Sequence, residues 1–377
     1  MKGIRIIGNY RKVPDGYGTM CIEYIRALLS IGFTDFKITQ AFQGNWKEDE
    51  FLSKLENKQI DYDVNLIMLT ADNVRVFKEE GKKNIVFTMW ETTDLPSHWP
   101  DLCNQCDAVV VPSTFCKEVF RKSGVEVPIH ILPIPTDVNK FNVVRVNKEL
   151  EEMTKGKFVF YSIFQWGERK NPKALLNAYY SSFSAKDDVL MIIKSHLTGN
   201  NDGFEIEKRV KEVRINIKRN SMDYPKVFVI SDNLTENQIG QIHKIGDVCL
   251  SSTRGEGWNL PLMDAALAGN HIIATNFSSH TDFIDTYNHF KFQIYDRVGY
   301  QLEHCHNAGS LYTSNQKWAN VNVQEFSMRM KRAYDEWKTK GVLYSQNHRD
   351  EYSKYLKTLY SYDNIGKKLL AIIQEIK

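Results

Sequence analysis

The chain has 377 residues, 42% hydrophobic and 25% charged with 10 prolines, which is long enough for two globular domains and too apolar for disorder. A net charge of +3 gives no ground for a nucleic-acid or membrane partner. No stretch reaches the roughly 18 apolar residues of a membrane span, and the six cysteines lack a pairing framework. The opening segment Met1 to Gly8 has too short an apolar core for a signal peptide and reads as a strand. Together these features predict a reduced, cytoplasmic protein.

Short β-branched runs alternate with longer helical patterns, which predicts an α/β chain of parallel sheets covered by helices. In the first half, strands are expected at Ile4–Gly8, 64–69, 84–89, Ala108–Val111 and 130–132. Asp15-Gly16-Tyr17-Gly18-Thr19 follows the first strand and opens a helix in which Cys21, Ile22, Ile25, Leu28 and Leu29 have helical spacing. Gly16 and Gly18 let backbone N–H groups approach a phosphate or a sugar. A plain tight turn fits equally well, and the pattern is neither G-x-G-x-x-G nor a P-loop. Glu91, in Trp90-Glu91-Thr92-Thr93, can accept a proton or orient a hydroxyl; a structural carboxylate is an equal reading. Cys103 and Cys106 form a lone C-x-x-C that nothing nearby completes, so no metal site is expected. Ser113 suits a helix cap better than a phosphate contact.

The polar stretch 142–157 is the expected linker, after which the alternation restarts with strands at 158–164, 189–194, 227–230, Val248–Ser251 and 272–275. Two such units predict two Rossmann-like domains, 1–145 and 155–361, facing each other across a cleft and binding ligands at strand carboxyl ends. Gly167-Glu168-Arg169-Lys170-Asn171-Pro172 follows the first strand of the second half. Adjacent cations there can neutralise a leaving diphosphate, arginine as a fork and lysine as a point charge. The run from Lys208 to Arg219 interleaves cations with Val210, Val213, Ile215 and Ile217. An amphipathic surface helix is the preferred reading, and peripheral contact with an anionic membrane or acceptor the alternative. His98, His196, His243, His271 and His280 show no metal-ligand spacing.

The segment Ser251 to Gly269 joins a strand, a loop and a short helix. Asn259 suits the helix cap, Pro261 its first turn and Gly269 its end. Glu256 lies in the loop and Asp264 one turn inside the helix, eight positions later. A helix N-terminus between two acceptors suits a ligand carrying both phosphates and hydroxyls, a nucleotide-sugar.

From Glu256 to Gly269 the chain resembles the E-x7-E signature of retaining GT-B glycosyltransferases, most of all family 4 (glycosyl transferases group 1), with Asp264 in place of the second glutamate. The resemblance implies a GT-B fold with a last helix, about 362–377, packing back on the first domain. It implies that Glu256 stands near the donor sugar's hydroxyls and that Asp264 holds the ribose, at a reach one methylene shorter. Gly257, Trp258, Asn259 and Leu260 would complete the donor site. Ser231 and Leu234 would flank the base, although an ordinary loop is the default there. The glycine-rich segment with Gly16 and Gly18 would face the diphosphate and the acceptor. Relatives carry an arginine five residues before the lysine, where this chain has Gln165, so Arg169 is expected to take that role beside Lys170. Relatives also carry a histidine near Glu91, and a Gly-Gly pair where this chain has the segment Thr275 to Ser279.

The expected activity is metal-independent, retaining transfer from a UDP- or GDP-sugar, without a cofactor. The acceptor stays open: a glycan, a lipid-linked sugar, a protein or a modified nucleic-acid base, met in the cytoplasm or at the inner membrane surface. The alternatives are a non-catalytic nucleotide-sugar or glycan-binding protein and a sugar-nucleotide epimerase. A dinucleotide oxidoreductase ranks low without G-x-G-x-x-G.

Overall fold

In the computed structural model, which describes residues 2–11, 15–44, 49–141, 145–197, 203–217, 223–306 and 309–376, the apolar runs become parallel strands. The chain divides into two units, one of Met1–Val138 with Lys357–Lys377 and one of Asn139–Leu356.

The first unit holds β1 (Ile4–Gly8), β2 (Phe36–Gln40), β3 (Val64–Met68), β4 (Lys83–Phe87), β5 (Ala108–Val111) and β6 (Ile129–Ile131). They form one sheet in the order β2-β1-β3-β4-β5-β6, with Ile4 level with Phe36 on one side and Val64 on the other. Every residue of β3 and β5 is buried, as expected for parallel strands covered on both faces. The helix Gly16–Ser30 follows β1 and packs against the helix Tyr362–Glu375. The two approach so closely that a Cβ on Gly366 would stand 2.3 Å from the Ala27 carbonyl oxygen. The Tyr362 hydroxyl donates to Glu23 at 2.7 Å across the same contact.

The second unit holds β7 (Phe158–Gln165), β8 (Val189–His196), β9 (Lys226–Ile230), β10 (Val248–Ser251), β11 (His271–Thr275) and β12 (Asp296–Val298), ordered β12-β11-β10-β7-β8-β9. Phe158, Phe160, Met191 and Ile193 form one buried cluster with Tyr179 and Phe183, from the helix Pro172–Ser182 and its end, and Phe326 and Met330 from the helix Val323–Lys340. An antiparallel hairpin of β13 (Tyr300–His304) and β14 (Lys317–Val321) stands apart from the sheet.

Two expectations need correction. The stretch 142–157 is not a bare linker: it contains a helix, Lys148–Thr154, on which Asn147 acts as the cap, and it lies within the second unit. Residues 142–144 lie outside the described ones. The chain passes between units at Val138 and Asn139 instead. Four strands, β2, β12, β13 and β14, are additions to the expected set. They are edge or exposed strands, whose alternating sequences give a weaker signal than a buried apolar run. Of the basic run, Lys208 to Asn216 lies on the helix Gly203–Asn216, with Val210 and Val213 buried and Arg209 paired with Glu205 at 3.0 Å. That is an amphipathic surface helix. Lys218 and Arg219 lie outside the described residues. No described helix is long and apolar enough to cross a membrane.

Candidate functional site

Open parallel sheets bind ligands where the strand order reverses, beyond the strands' carboxyl ends. In the second sheet the reversal falls between β7 and β10. The segments leaving these two strands carry Arg169-Lys170 and Glu256.

After β7, a single 3-10 turn, Glu168–Lys170, is stopped by Asn171, which takes a left-handed conformation at φ 51° before Pro172 starts the next helix. Asparagine tolerates that conformation better than most side chains. After β10, the loop runs alongside this turn. The Ser252 hydroxyl donates to Asn171 O at 2.9 Å, and Arg254 N donates to Arg169 O at 2.7 Å. Asn259, at φ 80°, caps the helix Leu260–Leu267 through Leu262 N, and Pro261 lies in its first turn. Gly269, at φ 79°, ends it.

These contacts deliver Glu256 to the two cations. Lys170 Nζ donates to Glu256 Oε1 at 2.6 Å and to Oε2 at 2.8 Å. Arg169 Nη1 donates to Glu256 Oε2 at 3.1 Å and to Gly255 O at 2.7 Å. Glu256 is 5% exposed. Burial pushes its carboxyl up, but the charges of Lys170 and Arg169 outweigh burial and bring it down to about 2. The cluster is therefore a carboxylate with two positive partners at neutral pH. Ser162, Asn259 and Leu262 join Lys170 and Glu256 around a hollow of about 20 Å³, roughly the room of one water.

The other expected residues fall in several places. Asp264, on the helix Leu260–Leu267, makes an ion pair with Lys140 rather than with the cations that hold Glu256. The Trp258 ring is buried against Phe283, 5.2 Å between centroids, and Gly257 is buried beside it. Leu260 is half-buried at the helix start. Ser231 and Leu234, both half-buried, follow β9, two strands from β7. In the first unit, Gly16 and Gly18 are in the first turn of their helix. The Asp15 carboxylate accepts from Tyr17 N and Gly18 N, so those donors already have a partner. The Tyr17 hydroxyl pairs with Thr88 Oγ1 at 3.0 Å, and Glu91 is close enough to help push the tyrosine up, after burial. The glycine segment and Glu91 thus meet at the carboxyl ends of β1 and β4.

Three contributors escaped the sequence reading. Lys140 pairs with Asp264 across 124 positions, and nothing local marks it. Ser278 accepts from Glu256 N at 2.8 Å from a left-handed backbone at φ 74°. The serine thus stands in the geometry a glycine would favour. Arg254 lies two residues before the signature and binds the turn that carries the cations.

A cavity of about 440 Å³, lined among others by Phe141, His243, Asp247, Asn270 and Trp337, opens at the amino ends of β10 and β11. It is larger than the hollow at Glu256 but lies at the end of the sheet opposite the charged cluster. All six cysteines are free and buried. Among the described residues no three acidic, histidine or cysteine side chains gather as metal ligands would.

Solved structures resemble the whole chain. Sucrose-phosphate synthase from Thermosynechococcus elongatus matches with a TM-score of 0.70 at 8% identity, over 100% of this chain and 99% of its own. The trehalose-6-phosphate synthase OtsA matches at 0.68 with 10% identity, over 100% of both chains. The Anabaena protein HepE, in complex with UDP and glucose, matches at 0.63 with 12% identity, over 99% of this chain and 100% of its own. No protein-family model matches, and no curated protein does. These neighbours are GT-B glycosyltransferases, and the fold of this chain is GT-B, with two Rossmann-like domains.

Proposed function

We propose that this protein is a retaining, metal-independent glycosyltransferase that takes its sugar from a nucleoside-diphosphate sugar. The observation that carries the reading is the buried Glu256 carboxylate held by Lys170 and Arg169 at the reversal between β7 and β10. The complexes of HepE with UDP and glucose, and of the E. coli trehalose-6-phosphate protein with UDP-2-fluoro glucose, favour UDP over GDP as the donor base.

The chemistry follows from the charges. A departing diphosphate gains negative charge, and Lys170 and Arg169 offer positive charge already oriented by Glu256, which lowers the barrier without rearrangement. The positive end of the helix Leu260–Leu267 adds to this. Glu256 keeps acceptor capacity for sugar hydroxyls. Asp264 binds the ribose by exchanging its Lys140 partner for ribose hydroxyls. Gly16, Gly18 and Glu91 serve the acceptor and the phosphates from the first unit; Ser231 and Leu234 flank the base. The donor is a substrate, and no resident cofactor is invoked.

The Lys140–Asp264 pair also favours a second reading, a protein that binds nucleotide-sugars without turning them over. The two separate on incubation of the purified chain with UDP- and GDP-sugars and a panel of glycan acceptors. We expect nucleotide release with an axial or equatorial product bond matching the donor's. Lys170→Ala should lose about 10²- to 10³-fold in kcat, by analogy with removal of one preorganised donor. Nucleotide binding with neither hydrolysis nor transfer would favour the second reading.

A further inference from the structure

We infer that Arg254 is the positioning residue of this site, the group that holds Arg169 and Lys170 against Glu256; its catalytic consequence rests on the function proposed above.

The residue is 7% exposed, and each of its guanidinium nitrogens has a partner. Nε donates to Glu168 O at 3.2 Å and Nη2 to Glu168 Oε1 at 3.1 Å, while Nη1 pairs with the Glu303 carboxylate on β13. The guanidinium carbon lies 5.4 Å from the centre of the fully buried Trp318 ring on β14. Its backbone joins in: Arg254 N donates to Arg169 O at 2.7 Å, and Ala319 N donates to Arg254 O at 2.8 Å.

Two features point to positioning rather than general support. Glu168 O, the acceptor of Arg254 Nε, also closes the turn by accepting from Asn171 N at 3.0 Å. The same guanidinium therefore fixes the turn on which Arg169 and Lys170 are carried. Arg254 also lies only two residues before Glu256, so one short segment grips both halves of the charged cluster. The hydrogen bonds of Arg254 go to Glu168 and Glu303, while the charges that chiefly lower the Glu256 carboxyl are those of Lys170 and Arg169. It acts through Glu168 and the turn. A planar fork can engage a backbone carbonyl and two carboxylates at once; a lysine ammonium has the charge without the geometry.

The test uses Arg254→Lys, which keeps the charge, and Glu168→Gln, which weakens the grip from the other side. In 13C-glutamate protein, the Glu256 carboxyl resonance is assigned with Glu256→Gln and followed from pH 7 down to about 3.5. The wild-type carboxyl should stay ionised throughout. In both variants it should begin to take up a proton above about pH 4, towards the ordinary glutamate range. Where transfer is measured, Arg254→Lys should lower kcat at least about tenfold with little change in the donor KM, the pattern of an interaction lost only in the transition state. A folded Arg254→Lys with an unshifted Glu256 resonance and wild-type kcat overturns the proposal. The carboxyl titration needs no substrate, so it still decides the positioning role if the wild-type protein transfers nothing, a result that refutes only the functional reading.

Discussion

Burial alone would raise the Glu256 carboxyl; Lys170 and Arg169 bring it down to about 2. A carboxyl lowered in the folded state stabilises the protein above its unfolded value, near the ordinary 4.5, and that contribution is lost as pH falls towards 2. Glu256→Gln should therefore destabilise at pH 7, by about 1–3 kcal/mol once the partial exposure of the two cations is allowed for. The gap in urea midpoint between variant and wild type should narrow as pH falls from about 5 to 3; a gap independent of pH would show that the ion cluster contributes nothing. Ser278 gives a sharper comparison. Ser278→Gly relieves a strained backbone of about 1–3 kcal/mol while losing a hydrogen bond worth about 1. Ser278→Ala loses the bond and keeps the strain. Alanine should be the less stable of the two in thermal melts. For Lys140, removing the cation frees Asp264 for a ribose. Lys140→Ala is expected to tighten UDP binding about two- to fivefold by calorimetry, the scale of a partly exposed ion pair. Weaker binding would instead place Lys140 on the nucleotide.

At the scale of elements, what could be read from the sequence divides by burial. β5 is a continuous apolar run, β1 is one broken only by Arg5 and β10 one ending in Ser251, and the bounds of all three coincide with the expected ones. Central parallel strands must be apolar on both faces, and that constraint is written locally. β2 at the edge of its sheet and the exposed β13 alternate or turn polar, so their pairing is decided by partners far along the chain. The same division applies to the candidate site. Asn259, Pro261 and Gly269 obey local capping rules and were legible. The pairing of Asp264 with Lys140 and the grip of Arg254 on Glu168 arise only when distant segments meet. The conformation of Ser278 hid for another reason: a serine gives no sign of a left-handed backbone that the surrounding loop imposes.

At the scale of the whole molecule, the chain leaves the first unit after Val138 and returns to it from Lys357. Its last helix is a structural member of a domain that begins more than three hundred residues earlier. Ile365, Leu369 and Ile373 on that helix are 0–1% exposed, and Gly366 admits no side chain against Ala27. Each fully buried aliphatic side chain contributes about 1.5–3 kcal/mol, so the three together approach the 5–15 kcal/mol by which a domain is typically stable. Ending the chain at Leu359 should therefore unfold the first unit, while the second keeps its buried cluster around Phe158, Phe160 and Tyr179. Limited proteolysis should show cleavage spreading through residues before Val138, with a fragment starting near Asn139 surviving. Gly366→Leu is the milder version. It forces atoms against the Ala27 carbonyl and should cost about 1–3 kcal/mol by overpacking without removing any apolar surface. If both variants melted like the wild type, the helix would be a passenger on the surface of the first unit rather than part of its core.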